Sequence, residues 1–315
     1  MVIVDCTALN NLMVKLEQRV GVPITDAIIR AKMAAATRYI NTVLSGGTGL
    51  FFRTFSSLRL YQKMSEHAFY LGYGEVKMTA YTRRERLEGQ VIKPYLSTMI
   101  AGDIAGTFAS VERKPGWVRY EVENGLMAFE VFQDPRYGEI LRTRLQSLPP
   151  TIPAISSYRR CTECGSPIPL GRFKWNLSEG TIYDVKTARR TVIIGMETLQ
   201  SLVDDLEKRL GPEVPHYLTE IERERVREDL EGRALISTAE GYHRLFAQLR
   251  VRGMGELAGV QKAGTQLKVR INNPYSVYGI VALVSGAYEA LNQTASKATW
   301  EMSPKGFLDI VIQPT

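Results

Sequence analysis

Cys161 and Cys164, in the stretch CTECGSPIPL, are the residues of this 315-residue chain whose types and spacing point most directly to chemistry. A C-x-x-C on one tight turn lets two thiolates share a tetrahedral zinc ion, but a closed site takes four ligands. No second C-x-x-C is present, and Cys6 and the three histidines are remote in sequence. Three readings stay open. The motif is a knuckle without its metal, a zinc site completed by Cys6, a histidine or a second copy's C-x-x-C, or a redox dithiol. The last expects a thioredoxin-like context that the sequence does not display.

Other candidates depend on a pocket. His67, His216 and His243 form no H-x-x-x-H pair, but His67 and His243 lie on the helices leading into GYGE and GMGE. A pocket beneath those helices would take them as its polar groups. Tyr70, Tyr73 and Tyr95, and later Tyr275 and Tyr278, would line the same pocket or fill the core. Glu121 and Glu301 open further possibilities: buried, each would need a partner; exposed, each is a plain edge-strand charge. Neither GGTG (Gly46 to Gly49) nor GYGE (Gly72 to Glu75) completes the G-x-G-x-x-G that a dinucleotide needs, and no Walker lysine follows.

The elements that would position these residues occur twice. Leu16 placed on Leu206 brings VIVDCTALNNLMVKLEQRVG onto VIIGMETLQSLVDDLEKRLG without a gap. Each opens on β-branched strand residues, continues with apolar residues at helical spacing and stops at a glycine. LGYGEV (from Leu71) returns as RGMGEL (from Arg252), Pro94-Tyr95 as Pro274-Tyr275, and Tyr120-Glu121 as Trp300-Glu301. Between the first glycine and GYGE the register slips by about nine residues, which the loop Ser45 to Gly49 accommodates. Both halves close on an alternating strand, LMAFEVF and FLDIVI.

This pattern predicts an α+β fold of two repeated modules, each an antiparallel sheet with helices on one face, packed as an internal pseudo-dimer. The expected boundaries are 1–133 for copy one, 134–190 for a proline-rich linker with the C-x-x-C and a β-hairpin, and 191–315 for copy two. The hairpin turns at Ser178 to Gly180, and the linker packs across both modules. Gly102 and Gly106, four apart on one helix face, call for close packing of helix on sheet or for space kept open. The charged helix Tyr217 to Gly232 reads as a solvated face.

YLSTMIAGDIAG followed by a hairpin, after a GxGE strand, resembles the 4-vinyl reductase (V4R) domain of the wider TRAPP-like and haem-NO-binding-like ligand-binding fold. The resemblance implies binding of a small hydrophobic or aromatic molecule, with Ser97, Met99, Gly102 and Gly106 on the central helix. Many such domains carry a cysteine-bound zinc, and this chain departs from them. Ser97 and Val277 stand where the helix cysteine would be, and Asn124 and Pro304 where hairpin cysteines would be. Zinc is thus expected, if anywhere, at Cys161 and Cys164.

Composition bounds the rest. Forty basic against 33 acidic residues give a net charge of +7, spread along the chain, so a mixed solvated surface is expected and nucleic acid is disfavoured. Three cysteines make no disulfide framework, and the opening residues lack the signal-peptide pattern. The longest apolar run, VYGIVALVSGAY, is too short to span a membrane. The expectation is a cytoplasmic sensor or accessory protein that binds a hydrophobic or aromatic ligand and acts through a protein partner or as a homodimer. A reductase or assembly factor in tetrapyrrole or aromatic metabolism, and a TRAPP-like scaffold, are the alternatives. The missing nicotinamide fingerprint and the few histidines disfavour an enzyme.

Overall fold

The computed structural model describes residues 1–45, 57–142, 153, 157–233 and 236–315. The loop carrying GGTG and much of the proline-rich stretch lie outside the described residues. The chain starts with β1 (Val2–Asp5) and α1 (Cys6–Val20), joined where the Asp5 carboxylate accepts the Ala8 N–H at 2.9 Å as a helix cap. Then come α2 (Thr25–Val43), α3 (Ser57–Tyr70), β2 (Glu75–Thr82), β3 (Arg86–Ile92), α4 (Ser97–Glu112), β4 (Gly116–Glu123) and β5 (Leu126–Gln133). A middle group, β6 (Phe173–Asn176), β7 (Thr181–Asp184) and β8 (Arg189–Ile194), leads into the second copy. That copy runs α5 (Met196–Leu210), α6 (Val214–Leu230), α7 (Ala239–Phe246), β9 (Glu256–Ala263), β10 (Gln266–Asn272), α8 (Val277–Asn292), β11 (Ser296–Met302) and β12 (Phe307–Pro314).

The fold is α+β, with three antiparallel four-stranded sheets among the described residues. The orders β2-β3-β5-β4 and β9-β10-β12-β11 are the same topology drawn twice. Alternation sets one face inward: Leu87, Val91, Met127, Phe129 and Val131 in the first, Leu267, Val269, Ile271, Leu308, Ile310 and Ile312 in the second. Across each inner face lies the apolar helix, α4 or α8, and outside it α2 or α6. Glycine sets that second contact. A Cβ on Gly106 would stand 2.6 Å from the Met33 carbonyl, and one on Gly286 would stand 2.5 Å from that of Arg223, the residue equivalent to Met33. The glycine face therefore seats helix on helix, not helix on sheet as the sequence pattern alone suggested.

The third sheet, β1-β8-β7-β6, holds the first strand of each copy. Val2 pairs with Ile194, Ile3 with Ile193 and Val4 with Val192. Because Val2, Ile3 and Val4 are the repeat equivalents of Val192, Ile193 and Ile194, the ladder has a local two-fold axis at the Ile3–Ile193 pair. Both isoleucines donate outward: Ile3 to the Arg252 carbonyl at 2.8 Å, Ile193 to that of Leu71, the equivalent of Arg252, at 2.9 Å. Each first strand thus bonds the other copy. The first helices cross likewise, α1 packing on α6, and α5 on α2 besides touching α6. The charged face of α6 meets α1 in this crossing, Arg19 lying 2.8 Å from Glu224, so it is an inter-copy contact rather than a purely solvated face.

The crossing explains the first glycine of each GxGE. Gly72 and Gly253 both have positive φ, and each lies beside a backbone carbonyl at the start of the other copy's first strand, Thr191 for Gly72 and Met1 for Gly253. A side chain there would meet both conformational strain and that carbonyl. The β6–β7 hairpin is tied in by Trp175, whose indole N–H donates to the Tyr70 carbonyl at 2.9 Å. Fully buried Asp184 accepts from Arg172 and from Arg252 of copy two at 2.7 Å. Burial works to raise the Asp184 pKa, but hydrogen bonding and the charge of Arg172 and Arg252 outweigh it and hold it below 3.8.

Two outcomes follow. Gly253→Ala is expected to lower stability by about 1–3 kcal/mol in urea denaturation, since strain and overpacking act together. Asp184→Asn is expected to cost about 3–5 kcal/mol at neutral pH by leaving two guanidiniums facing a neutral group. Because the folded-state pKa of Asp184 lies below its unfolded value, its contribution is full above that value and is lost as pH falls through the folded pKa. The wild-type advantage over Asp184→Asn should therefore shrink below about pH 4.

Candidate functional site

Two cavities lie at equivalent places, one in each copy. Copy one has a cavity of about 130 Å³ lined by Lys32, Tyr39, Met64, His67, Leu71, Tyr73, Asp103 and Thr107, among others. Copy two has one of about 300 Å³, where Glu222, Asp229, Leu245, Gln248, Arg252, Met254, Leu283 and Ala287 occupy the matching positions. Each is walled on one side by the other copy's arm. Gly195 and Thr198, at the start of α5, reach the first; their equivalents Asp5 and Ala8, with Leu9 and Leu12 of α1, reach the second.

The chemistry of the two has diverged. In the smaller cavity Lys32, 1% exposed, sits on an otherwise apolar face of α2 with its Nζ 3.0 Å from Asp103 Oδ1. The Lys32 ammonium also lies 5.8 Å from the centre of the Tyr73 ring. Asp103 Oδ2 accepts the Tyr95 hydroxyl at 3.4 Å, and the Tyr73 and Tyr95 rings meet at 4.8 Å. Burial raises the Asp103 pKa despite the nearby Lys32 charge, and it pushes the Tyr73 and Tyr95 hydroxyls well above their usual range.

The larger cavity is apolar along α1, α5 and α8 and carries an ion network on one side. Arg225 grips Glu222 with Nε at 2.8 Å and Nη2 at 2.6 Å, and reaches Asp229. Arg189 of β8 grips Asp229 at 2.9 and 3.2 Å and lies 3.6 Å from Asp5 of β1. Burial pushes the Asp229 pKa up, but the Arg189 hydrogen bond and the Arg225 charge outweigh it and hold it below 3.8. Asp229 stays charged at neutral pH, as do the guanidiniums of Arg189 and Arg225, whose pKa values the neighbouring carboxylates raise.

The residues singled out in the sequence are distributed as follows. His67, exposed at the rim, and Tyr73 line the smaller cavity, and Tyr95 backs it. Tyr275 and Tyr278 line the larger. Met99 is fully buried in the core, Ser97 is the first residue of α4, and Gly102 and Gly106 form the α2–α4 seam. Tyr70 is 52% exposed, Glu121 lies exposed on edge strand β4 and His243 is exposed on α7; none of the three lines either cavity. Sequence reasoning missed Lys32 and Asp103. Their signal is a single charge inside each of two apolar stretches, AKMAAA and IAGDIAG.

Cys161 and Cys164 sit on a tight hairpin, where Cys161 N–H donates to the Ser166 carbonyl at 2.8 Å and Gly165 N–H to that of Cys161 at 3.0 Å. Cys164 is exposed, and a hydrogen bond from Ser166 lowers its thiol pKa. Among the described residues no third histidine, cysteine, aspartate or glutamate is grouped with them as a tetrahedral zinc site would need.

No protein-family profile matches the chain, and no curated protein matches it. Among solved structures it is similar to the phenol-responsive sensory domain of the transcription activator PoxR with phenol. That match has 14% identity over 46% of this chain and 85% of that one, with a TM-score of 0.37. It is also similar to a mutant H-NOX of T. tengcongensis, at 11% identity over 39% of this chain and 75% of that one, with a TM-score of 0.28. Likenesses this remote carry no argument about what the chain binds. Among the described residues no helix is long and apolar enough to cross a membrane.

Removing the Lys32 charge tests the buried pair. Lys32→Met should cost about 3–5 kcal/mol at pH 7 by stranding Asp103, whereas Lys32→Met with Asp103→Leu should recover most of it. The raised pKa means that folded Asp103 binds a proton more readily than the unfolded chain does. The single variant should therefore gain stability relative to wild type as pH falls from 7 to 5, read by urea denaturation.

Proposed function

We propose that the chain is a small-molecule-binding protein of the tandem V4R-like kind, whose principal site is the larger cavity. The observation that carries this reading is the cavity itself. Its volume of about 300 Å³ falls at the lower end of small-molecule sites, and its wall is mainly aliphatic with a few convergent charged groups. The ligand class that fits is a hydrophobic molecule held along Leu12, Leu202, Val203 and Leu283, with any polar end toward Arg225 and Asp229.

The output would be conformational. Helix α1 belongs to copy one yet walls the cavity of copy two, so a ligand there favours one placement of the arm over another. A partner protein that reads the arm would then sense occupancy. Cys164, exposed, and half-buried Cys161 on the same hairpin remain candidates for zinc, with the further ligands supplied by another chain.

The neutral fluorescent probe N-phenyl-1-naphthylamine should bind the purified protein saturably. Leu12→Trp on α1 and, separately, Leu283→Trp on α8 fill the cavity from opposite walls, and each should weaken the probe at least tenfold. Unchanged affinity in both variants would reject the site.

A further inference from the structure

We infer that the smaller cavity is a second, chemically distinct binding site, which takes a compact neutral molecule carrying a carbonyl oxygen as hydrogen-bond acceptor for Lys32. This site stands apart from the larger cavity and does not depend on that cavity being occupied.

Lys32 supplies the reason. An ammonium has three donors, and Asp103 is the one acceptor that Lys32 meets among the described residues. Its side chain is almost wholly buried, so solvent is not at hand for the others, and leaving donors unmatched in an apolar site is unfavourable. The cavity that Lys32 lines is the space from which an acceptor would come. The nearby Tyr95 and Tyr61 hydroxyls are oriented as donors, to Asp103 at 3.4 Å and to Glu112 at 3.1 Å, and the structure shows neither accepting from Lys32.

Charge and size narrow the class. Lys32 and Asp103 together are neutral, so a carboxylate would bring an unbalanced charge into low dielectric, whereas a ketone, aldehyde, ester or amide oxygen would not. At about 130 Å³ the space is close to that of engineered cavities that admit benzene, enough for one six-membered ring. Ile100, Ile104, Leu87 and Phe129 provide the apolar surround for the ring, and Tyr73 flanks the ammonium end. The same position in copy two cannot do this, since Glu222 and Leu283 replace Lys32 and Asp103 there.

The cavities carry their own reporters. Met64 and Met78 line the smaller, Met13 and Met254 the larger. Methionine-methyl NMR on the full-length protein should show cyclohexanone shifting Met64 and Met78, with affinity about tenfold above that of methylenecyclohexane, which has the same shape without the oxygen. In Lys32→Met with Asp103→Leu, both probes should shift Met64 and Met78 with equal affinity, the preference for the ketone being lost. Equal affinity of the two probes in the wild type, a ketone preference that survives in the double variant, or shifts confined to Met13 and Met254 would each overturn the inference. The last result would leave the larger cavity standing as the binding site, so the two readings fail separately.

Discussion

The antiparallel pairing of β1 with β8 brings the two halves of this protein together, and both cavities depend on it. A ladder of four residue pairs is weak by itself. This pair persists because each strand opens an arm whose helix packs on the opposite copy, and because Ile3 and Ile193 send their outward N–H groups to Arg252 and Leu71. The hydrophobic core that fills copy one accordingly extends through Val192 and Ile194 into Leu202, Leu206, Leu218 and Ile221 of copy two. Apolar burial across that seam is what makes the crossing stable. Without it, each cavity would lose a wall to solvent.

A crossed pseudo-dimer in one polypeptide lets the two sites diverge under a shared frame. The seam of α2 on α4 and of α6 on α8 is set by the same glycine contact in both copies, so Lys32 and Glu222 stand at the same place. What differs is the partner. Asp103 on α4 neutralises Lys32, while Leu283 on α8 offers Glu222 nothing, and Glu222 turns to Arg225 on its own helix. The ion pair thus bridges two helices in one copy and lies along a single helix in the other. A similar exchange has occurred one layer away. Tyr61 donates to buried Glu112, while its equivalent Tyr242 accepts from Asn292 at 2.8 Å. Position is kept and hydrogen-bonding chemistry is rewritten.

The duplicated topology and the α+β class were legible in the sequence because they are written in local patterns: the alternation of LMAFEVF and FLDIVI, the helical spacing after VIVD and VIIG, and the glycines that stop α1 and α5. The crossing was not legible. Nothing in the spacing of Val2 to Asp5 distinguishes pairing within its own copy from pairing with β8, because both would bury the same face. The space at the first glycine of each GxGE is shaped by chain more than 100 residues away, Thr191 beside Gly72 and Met1 beside Gly253, a separation that no local pattern encodes. For the sites, aromatic residues near GxGE directed attention to Tyr73, Tyr275 and Tyr278, which do line cavities. The same reasoning reached Tyr70 and His243, which face solvent, since proximity in sequence does not decide which side of a helix a residue takes.

The walls that close the two cavities are held by different forces, and this shapes how each can open. Around the larger cavity, Arg189 on β8 holds Asp229 on α6 with two hydrogen bonds and lies 3.6 Å from Asp5 on β1, and Arg19 of α1 lies 2.8 Å from Glu224 of α6, so ion pairs tie the α1 arm to copy two. Hydrogen bonds between charged groups are short and directional. The arm over the smaller cavity begins at Gly195, with Thr198 on the cavity side, and its charged tie is Arg38 with Asp205 at 3.5 Å, further along α5. Near the cavity the α5 arm is therefore positioned by apolar packing, which yields gradually, while the α1 arm is latched. Because both arms begin on the same strand pair, displacing one strains the other at the Ile3–Ile193 axis. Two sites of different chemistry are thereby placed on one mechanical element, with the latch on the side of the larger.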